Sequence, residues 1–579
     1  MSAKAILISF FSLLITTSTP AFGQQSPYEH QKYWDGVKSP KLKWSDGCTL
    51  DPAVFARDNP AYTSPPLMAL GDSLYNGVQS LRINWWLSEW SAPSLIAIRL
   101  GLIEEFGADR TGRRQFYGPQ YPSHGGPPDE VLHYGFNLET PGLKNGLARI
   151  GNLLSVPAGQ RKNLGELLTH RPPNGRAMVD NLAFSGANSR DLIDWTPEDY
   201  RAQAIMGLER MRDWRIDRAF GALGDTFTYA NAAFVLNPMQ DDCLEKLTPL
   251  EQVELRRPKR LLINIGSNNG LYKVAFQGVD IDDMRSCGGA ERLVGVRGKP
   301  ICVQPIRRFL QTQFIEDMET LTARLSRIDG LEYVYVNNLA LPSQTANVIF
   351  SGSSKEQGIF KLDISNNRVK REVIDRGDRS VDDVNEHLQE ILREYNTLGG
   401  PHFVYVDQSE ALRVKDYKKC VYLGEGACAE ERRLKVPKSM SGTRRDVYFD
   451  NRPMKVRGGS GYITGDAFAS KIAQGGLFSF DNMHLSSLGY ELMALAVRVA
   501  MKQEKDPALI VLPRGKNDRC PGAGQTREHL KIGDCIGQLT QAGWSVADYT
   551  RRDFVFQRLG GDREMRNREF ISAVLAFMN

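Results

Sequence analysis

Beyond its first 23 residues, this 579-residue chain has no hydrophobic run long enough to cross a membrane, no internal repeat and no low-complexity tract. Its formal net charge is +5 at pH 7, or +4 once Lys4 is removed with the first segment, and that is small for a chain of this length. A dedicated nucleic-acid surface needs a strong basic excess, so the charge balance argues against nucleic acid as a partner.

Several catalytic motifs are absent as well. No Cys-x-x-Cys spacing occurs among the eight cysteines, and no His-Glu-x-x-His among the eight histidines, which argues against zinc sites of those kinds. No Gly-x-Ser-x-Gly sequence lies at a strand-to-helix turn, which argues against the α/β-hydrolase fold. The glycine-rich run at 458–461 lacks the lysine of a phosphate-binding loop. We therefore expect neither a metal nor an organic cofactor.

An apolar segment does occur at the start of the chain. Residues 1–23 combine Lys4, an apolar core over 5–15 and a small-x-small sequence over 21–23, the pattern of a cleaved secretory signal. An uncleaved anchor is the alternative, but the core is short for a membrane span. No cysteine follows the cleavage site, so lipid attachment there is not expected. We therefore expect a secreted or periplasmic protein that begins at Gln24 and has no transmembrane segment.

All eight cysteines lie beyond that segment, and an even count behind an export signal predicts disulfide bonds. The local pairs would be 287–302, 420–428 and 520–535, which leaves Cys48 and Cys243 for a long-range bond. Spacing alone does not determine the connectivity.

The chain alternates apolar strands with helical segments, which predicts βαβ units and a mostly parallel sheet covered on both faces, an α/β fold. The predicted strands are Leu67–Leu70, Met178–Ala183, Arg260–Ile265, Leu331–Val336 and His402–Val406. The predicted helices are Pro93–Ile103, residues 197–220, Phe309–Ile328 and Asp382–Tyr395.

The same pattern predicts the domain organisation. Residues 24–65 form an irregular arm, and residues 66–515 form the main domain. Two long insertions interrupt that domain, at about 107–129 and 407–475. Residues 516–579 form a small appendage with two cysteines.

Polar sequences follow three of the predicted strands. Gly71-Asp72-Ser73-Leu74 follows the first strand, residues 181–187 end the second, and residues 265–270 end the third. A fourth polar piece, residues 478–490, lies near the end of the main domain. Open α/β sheets place their chemistry at the carboxyl ends of strands, so we expect these pieces to form one site.

The four pieces resemble the four sequence blocks of the GDSL, or SGNH, hydrolases, a family named for a serine, a glycine, an asparagine and a histidine. The matching residues here are Ser73, Gly186, Asn268 and His484. The resemblance covers the sheet core, under half of the mature chain. It implies a flavodoxin-like three-layer α/β/α sandwich, the SGNH hydrolase fold, with long insertions and a small C-terminal appendage.

The resemblance also implies a role for each residue. Ser73 would be the nucleophile and His484 the base that takes its proton. Asp481, three residues before the histidine, would orient the imidazole and stabilise its protonated form. The backbone N–H groups of Ser73 and Gly186 and the side-chain amide of Asn268 would form the oxyanion hole.

The chain departs from the family pattern at three positions. Asn269 stands where the family usually has aspartate, Leu485 where proline is common, and Asn482 where glycine is common. We expect Asn269 to support its loop without taking part in bond making. Proline at position 485 would mainly stiffen the turn, so we expect a modest effect from Leu485, and Asn482 tolerates turn geometry as glycine does.

The function implied is a secreted serine esterase or lipase that hydrolyses carboxylic esters of glycans or lipids through an acyl-enzyme on Ser73. Acyl transfer to a sugar is a variant that differs only in the acceptor. The alternative is an inactive or weakly active SGNH-like envelope module that binds carbohydrate or partner proteins. The set of Ser73, Asp481 and His484 favours the enzyme, because a binding module needs no aligned nucleophile and base.

Overall fold

The computed structural model describes residues 62–78, 82–83, 88, 91–103, 114–121, 132–133, 164–165, 167–172, 177–212, 216–277, 280–286, 303–350, 368–369, 371–423, 428, 432–436, 447–453, 455–456, 472–478 and 483–509. The predicted signal segment, the arm up to residue 61 and the C-terminal appendage lie outside the described residues, as do parts of both predicted insertions.

Four parallel strands form the central sheet: β1 (Met68–Gly71), β2 (Arg260–Asn264), β3 (Tyr333–Asn337) and β4 (His402–Val406). They are hydrogen-bonded in the order β1-β2-β3-β4. Every residue of β1 and β2 is buried, as expected for parallel strands that are covered on both faces. The α/β fold predicted from the sequence is confirmed at this level.

The predicted second strand lies along the outer side of β1. It forms a parallel bridge between Ala69 and Asn181 in place of a regular strand. Ala69 N donates to Asp180 O (2.9 Å), and Leu182 N donates to Ala69 O (2.8 Å). The Asn181 segment is the second of five strand positions in chain order, because it lies between β1 and β2 in the sequence. The spatial order of the five positions is therefore second (the Asn181 segment), first (β1), third (β2), fourth (β3) and fifth (β4). The order reverses between β1 and β2, and ligands of doubly wound sheets bind at the carboxyl ends beside such a reversal.

Helices surround the sheet. In chain order they are α1 (Ser73–Asn76), α2 (Ala92–Arg99), α3 (Asp191–Asp194), α4 (Pro197–Arg212), α5 (Ile216–Leu236), α6 (Pro249–Arg256), α7 (Tyr272–Gln277), α8 (Ile306–Phe309), α9 (Ile315–Leu325), α10 (Arg371–Thr397), α11 (Gln408–Arg413), α12 (Tyr417–Leu423) and α13 (Ser487–Gln503). Short 3₁₀ turns cover Leu244–Lys246, Pro342–Gln344 and Pro507–Leu509, and π turns cover Ser267–Leu271 and Leu310–Phe314.

Short two-stranded pairs lie outside the central sheet: Arg82–Ile83 with Leu132–His133, Met284–Ser286 with Val303–Pro305, Ile349–Phe350 with Arg368–Val369, Leu434–Val436 with Val447–Phe449, and Lys455–Val456 with Ile472–Gln474. In the part of the chain that the structure describes, no helix combines the length and the apolar character of a membrane span.

Some helices differ from the sequence prediction. The helix predicted over residues 197–220 is two helices, α4 and α5, and the second continues to Leu236. α2 begins where Ser91 caps it by accepting from Ser94 N, and it stops at Arg99 instead of Ile103. α10 begins at Arg371, eleven residues before its predicted start at Asp382, because its buried apolar positions recur from Ile374 onward.

Helix α13 holds the histidine segment against the sheet. Its cap residue Ser486 accepts from Gly489 N, and the same hydroxyl donates to Gly476 O (2.7 Å). Tyr490 OH donates to Val78 O (2.5 Å), just beyond α1. These contacts fix the start of the helix, three residues after His484, and so restrict where His484 lies.

A buried ion pair joins α6 to the edge of the sheet. Arg256 Nη2 lies 2.5 Å from Asp180 Oδ1, and both side chains are only 1% exposed. Arg256 also donates to Val179 O (2.7 Å) and to Tyr62 O (2.9 Å). Asp180 Oδ2 accepts from Tyr117 N (2.7 Å), so the pair links four separate segments of the chain.

The predicted disulfide between Cys420 and Cys428 is confirmed. Cys243 is disulfide-bonded as well. The predicted bonds 287–302, 520–535 and 48–243 each include a cysteine outside the described residues.

Candidate active site

Ser73 and His484 meet at the carboxyl end of β1. Ser73 is the first residue of α1, and its Oγ lies 3.0 Å from His484 Nε2, a distance at which the hydroxyl donates to a neutral imidazole. The two residues are 411 positions apart in the chain. Both are largely buried, with 9% of Ser73 and 4% of His484 exposed. The structure therefore brings together the two residues that the sequence predicts as nucleophile and base.

Asp72 is a buried carboxylate directly beside the serine. As the N-cap of α1 it accepts from Leu74 N (3.0 Å), and it also accepts from Asn264 Nδ2 (3.2 Å). Burial raises the pKa of Asp72 to about 6, while the hydrogen bonds and the nearby His484 act to lower it. Sequence reasoning did not single out this acid.

Asp72→Asn is expected to stabilise the protein increasingly as the pH rises from about 4 to about 6, and to keep the full gain at higher pH. Because the pKa in the folded state exceeds the ordinary value of 3.8, the folded protein binds this proton more tightly than the unfolded chain does, and the ionised form costs stability at higher pH. The gain in the free energy of unfolding should reach about 3 kcal/mol near pH 8 and vanish near pH 4. Chemical denaturation of both proteins across this pH range measures it.

The asparagine keeps the Oδ1 acceptor for Leu74 and Asn264, so the comparison isolates the charge. Titrating groups that do not interact with Asp72 are common to both proteins and cancel in the difference. A stability difference that stays constant from about pH 4 to about pH 8 would contradict a destabilising buried carboxylate at position 72.

A ladder of buried amides continues from Asp72 across the ends of the strands. Asn264 Nδ2 donates to Asp72, and Asn264 Oδ1 accepts from Asn337 Nδ2 (3.3 Å). Asn337 Nδ2 also donates to Gln408 Oε1 (3.1 Å), and Asn337 Oδ1 accepts from Tyr75 OH (3.2 Å). Asn264 and Asn337 are the last residues of β2 and β3, so the ladder follows the carboxyl edge of the sheet and fixes the turn that carries Ser73.

Gly186 lies in the loop that follows the segment Met178–Ala183, which was predicted as the second strand. Its φ of +75° is in the left-handed region that favours glycine. Next to it, Ser185 N donates to Asn231 Oδ1 of α5 (2.7 Å). On the other side, Ala187 O accepts from Asn268 Nδ2 (2.9 Å), so the predicted oxyanion residues Gly186 and Asn268 belong to adjoining loops.

Tyr121 links the serine helix to the Gly186 loop. Its hydroxyl accepts from Asn76 Nδ2 (2.8 Å) and from Asn231 Nδ2 (2.7 Å). Asn76 belongs to α1, and Asn231 is the residue that holds Ser185 N. Tyr121 lies in the segment predicted as an insertion, which therefore contributes to the site.

The arrangement can carry out acyl-transfer chemistry. A serine hydroxyl faces an imidazole, and the Ser73 N–H, the first of its helix, has no acceptor among the described residues. The Asn268 amide has two N–H groups, and the contact with Ala187 O occupies one.

Asp481 lies outside the described residues. In the described part of the chain, no three His, Cys, Asp or Glu side chains are grouped as metal ligands.

In comparisons with known proteins, no family model matches the chain, and neither the curated proteins nor the solved structures give a significant match. The residues that sequence reasoning missed are Asp72, Asn264, Asn337 and Tyr121. Asn264 and Asn337 had a usable signal, since each is an amide at the end of an apolar strand, at the edge where such sheets bind ligands.

Proposed function

We propose that the chain is a serine esterase of the GDSL/SGNH type with a flavodoxin-like sheet. The observation that carries the proposal is the 3.0 Å contact between Ser73 Oγ and His484 Nε2, made by residues from opposite ends of the domain. The strand order supports the flavodoxin-like assignment, because second-first-third-fourth-fifth is the order of that doubly wound fold. The contact lies at the carboxyl end of β1, the strand at which the order reverses.

In this mechanism Ser73 Oγ attacks the ester carbonyl while His484 takes the hydroxyl proton. His484 then gives that proton to the leaving alkoxide, and the acyl group remains bonded to Ser73. A water molecule, deprotonated by the same imidazole, then attacks the acyl carbonyl. His484 returns that proton to Ser73 Oγ as the bond between Oγ and the acyl group breaks, which releases the acid and restores the serine. By its sequence position, Asp481 orients His484.

The oxyanion of each tetrahedral intermediate would bind the N–H groups of Ser73 and Gly186 and the amide of Asn268. The buried ladder and the Tyr121 contacts support this assignment, because they hold the donors in place before substrate arrives. Donors fixed in advance stabilise the developing charge without reorganising during the reaction.

Asn268→Ala is expected to lower kcat by about 10²–10³-fold with little change in KM, because it removes a donor that acts on the transition state. Asn268→Asp matches the native side chain in size but cannot donate, and its charge repels the oxyanion, so its loss should be at least as large. Steady-state kinetics on one ester substrate measures both. A kcat within about threefold of the native value for Asn268→Asp would remove this residue from the oxyanion hole.

The test of the proposed function is hydrolysis of p-nitrophenyl esters from acetyl to palmitoyl by the oxidised protein, together with labelling by a fluorophosphonate. We expect turnover and covalent modification of Ser73, located by peptide mass spectrometry. The chain-length profile distinguishes acetyl removal from lipid cleavage. An absence of both turnover and labelling would contradict the proposal and favour the binding module.

We also propose that the protein works outside the cytoplasm. The disulfide Cys420–Cys428 supports this location, since such bonds persist in oxidising compartments. The sequence of residues 1–23 supports it independently.

A further inference from the structure

A second connection joins the Gly186 loop to the Asn268 loop. It runs from Asn269 through Ser189 to Asp317 of α9. Ser189 N donates to Asn269 Oδ1 (3.1 Å), Asn269 Nδ2 donates to Ser189 Oγ (2.7 Å), and Ser189 Oγ donates to Asp317 Oδ2 (2.6 Å). All three side chains are buried. Because Asn269 neighbours Asn268 and Ser189 lies three residues after Gly186, the connection spans the gap between the oxyanion donors.

The direction of every hydrogen bond in this connection is determined. A backbone N–H can only donate, so the Asn269 atom that faces Ser189 N must be the oxygen. The Asn269 atom that faces Ser189 Oγ is then the nitrogen, which can only donate. Ser189 Oγ therefore accepts from Asn269, and its single proton is left for Asp317.

Asp317 is placed to accept that proton as a carboxylate. Arg190 Nη2 lies 2.5 Å from Asp317 Oδ1 and balances its charge. Burial raises the pKa of Asp317 to about 6, and the contacts with Ser189 and Arg190 oppose that rise. The ion pair with Arg190 favours the carboxylate form, which has no proton to donate back to Ser189.

We propose that Asn269, Ser189 and Asp317 are positioning residues that set the spacing of the oxyanion donors, and that the carboxylate at position 317 is what requires an amide at position 269. The proposal rests on the proposed function, since it assigns a catalytic purpose to that spacing. The role of Asn269 is then to donate to the Ser189 hydroxyl, which already donates its own proton to Asp317.

The proposal predicts a reciprocal effect of two isosteric substitutions. In Asn269→Asp, two carboxylates compete for one serine proton, and the loops separate. A displacement of this kind is expected to lower kcat by about 10²-fold while KM stays nearly unchanged. Asp317→Asn keeps an acceptor for Ser189, so its loss should be under about tenfold.

The double variant N269D/D317N reverses the connection without breaking it. The new amide at position 317 can donate to Ser189 Oγ, and Ser189 can donate to the new carboxylate at position 269, so every donor again has one acceptor. We expect kcat within about tenfold of the native value, which is a recovery from the Asn269→Asp single variant. In a Ser189→Ala background the hydroxyl is gone, and the second substitution should bring no recovery.

The experiment measures kcat, KM and the thermal midpoint for the native protein, the two single variants, the double variant and the same set with Ser189→Ala. If Asn269→Asp does not fold, a folded and active double variant supports the proposal. A double variant as slow as Asn269→Asp, or equal recovery without Ser189, would overturn it. If no ester is turned over by any protein, the proposed function fails, and the midpoints alone still test the reciprocal connection.

Discussion

Ser73→Ala and His484→Gln are each expected to lower kcat by about 10⁴-fold or more, and the double variant should be scarcely slower than either single one. In the proposed mechanism the two side chains act as a unit, because the serine is a weak nucleophile without the base and the base has no proton to take without the serine. Rates measured on the best ester of the chain-length series, with the purified variants, give all three values.

Stability provides the control for this prediction. Ser73→Ala removes one side-chain hydrogen bond, so its free energy of unfolding should change by no more than about 1 kcal/mol. The identification of the site would be wrong if losses in the single variants multiplied in the double variant, or if Ser73→Ala unfolded the protein while activity per folded molecule was retained.

Arg256→Met is expected to cost about 3–5 kcal/mol of the free energy of unfolding. The substitution leaves the Asp180 carboxylate buried without its counter-ion, and it removes donors from Val179 O and Tyr62 O. The unpaired charge on Asp180 accounts for more of this loss of stability than the missing attraction between Asp180 and Arg256 does. Urea denaturation followed by tryptophan fluorescence measures it.

Arg257 is a matched control at the next position. It lies 3.8 Å from Asp329, but the two side chains are 41% and 87% exposed, so Arg257→Met should cost less than about 1 kcal/mol. The double variant D180N/R256M removes the isolated charge and should recover part of the loss. Equal denaturation midpoints for Arg256→Met and Arg257→Met would contradict this account.

The central sheet could be predicted because its strands are almost continuously apolar, which is what burial on both faces demands. β2 and β4 were predicted at the correct starting residue, and β1 and β3 within two residues. The division into α4 and α5 was not predicted, since the sequence between Arg212 and Ile216 contains neither glycine nor proline.

The sequence likewise predicts one part of the candidate site and not the other. Ser73, Gly186, Asn268 and His484 could be singled out because each lies in a short recognisable block. The pairing of residues within the amide ladder and within the Asn269–Ser189–Asp317 connection could not be predicted, because the partners come from separate strands and helices that only the tertiary fold brings together. A buried polar side chain has a strong need for a partner, but sequence alone does not say which residue the partner is.

The position of β1 has a consequence for the order in which the protein assembles. β1 is made early, yet its neighbours are the segment at Asn181 and the strand β2, and the histidine that faces its serine follows 411 residues later. During synthesis the nascent chain therefore carries an unpaired apolar strand for a long time, a state that invites wrong pairings. Contacts of such high sequence separation also make folding slow. His484, the proposed base, is made after Ser73, so under the proposed mechanism a partly synthesised chain contains the serine but no residue to activate it.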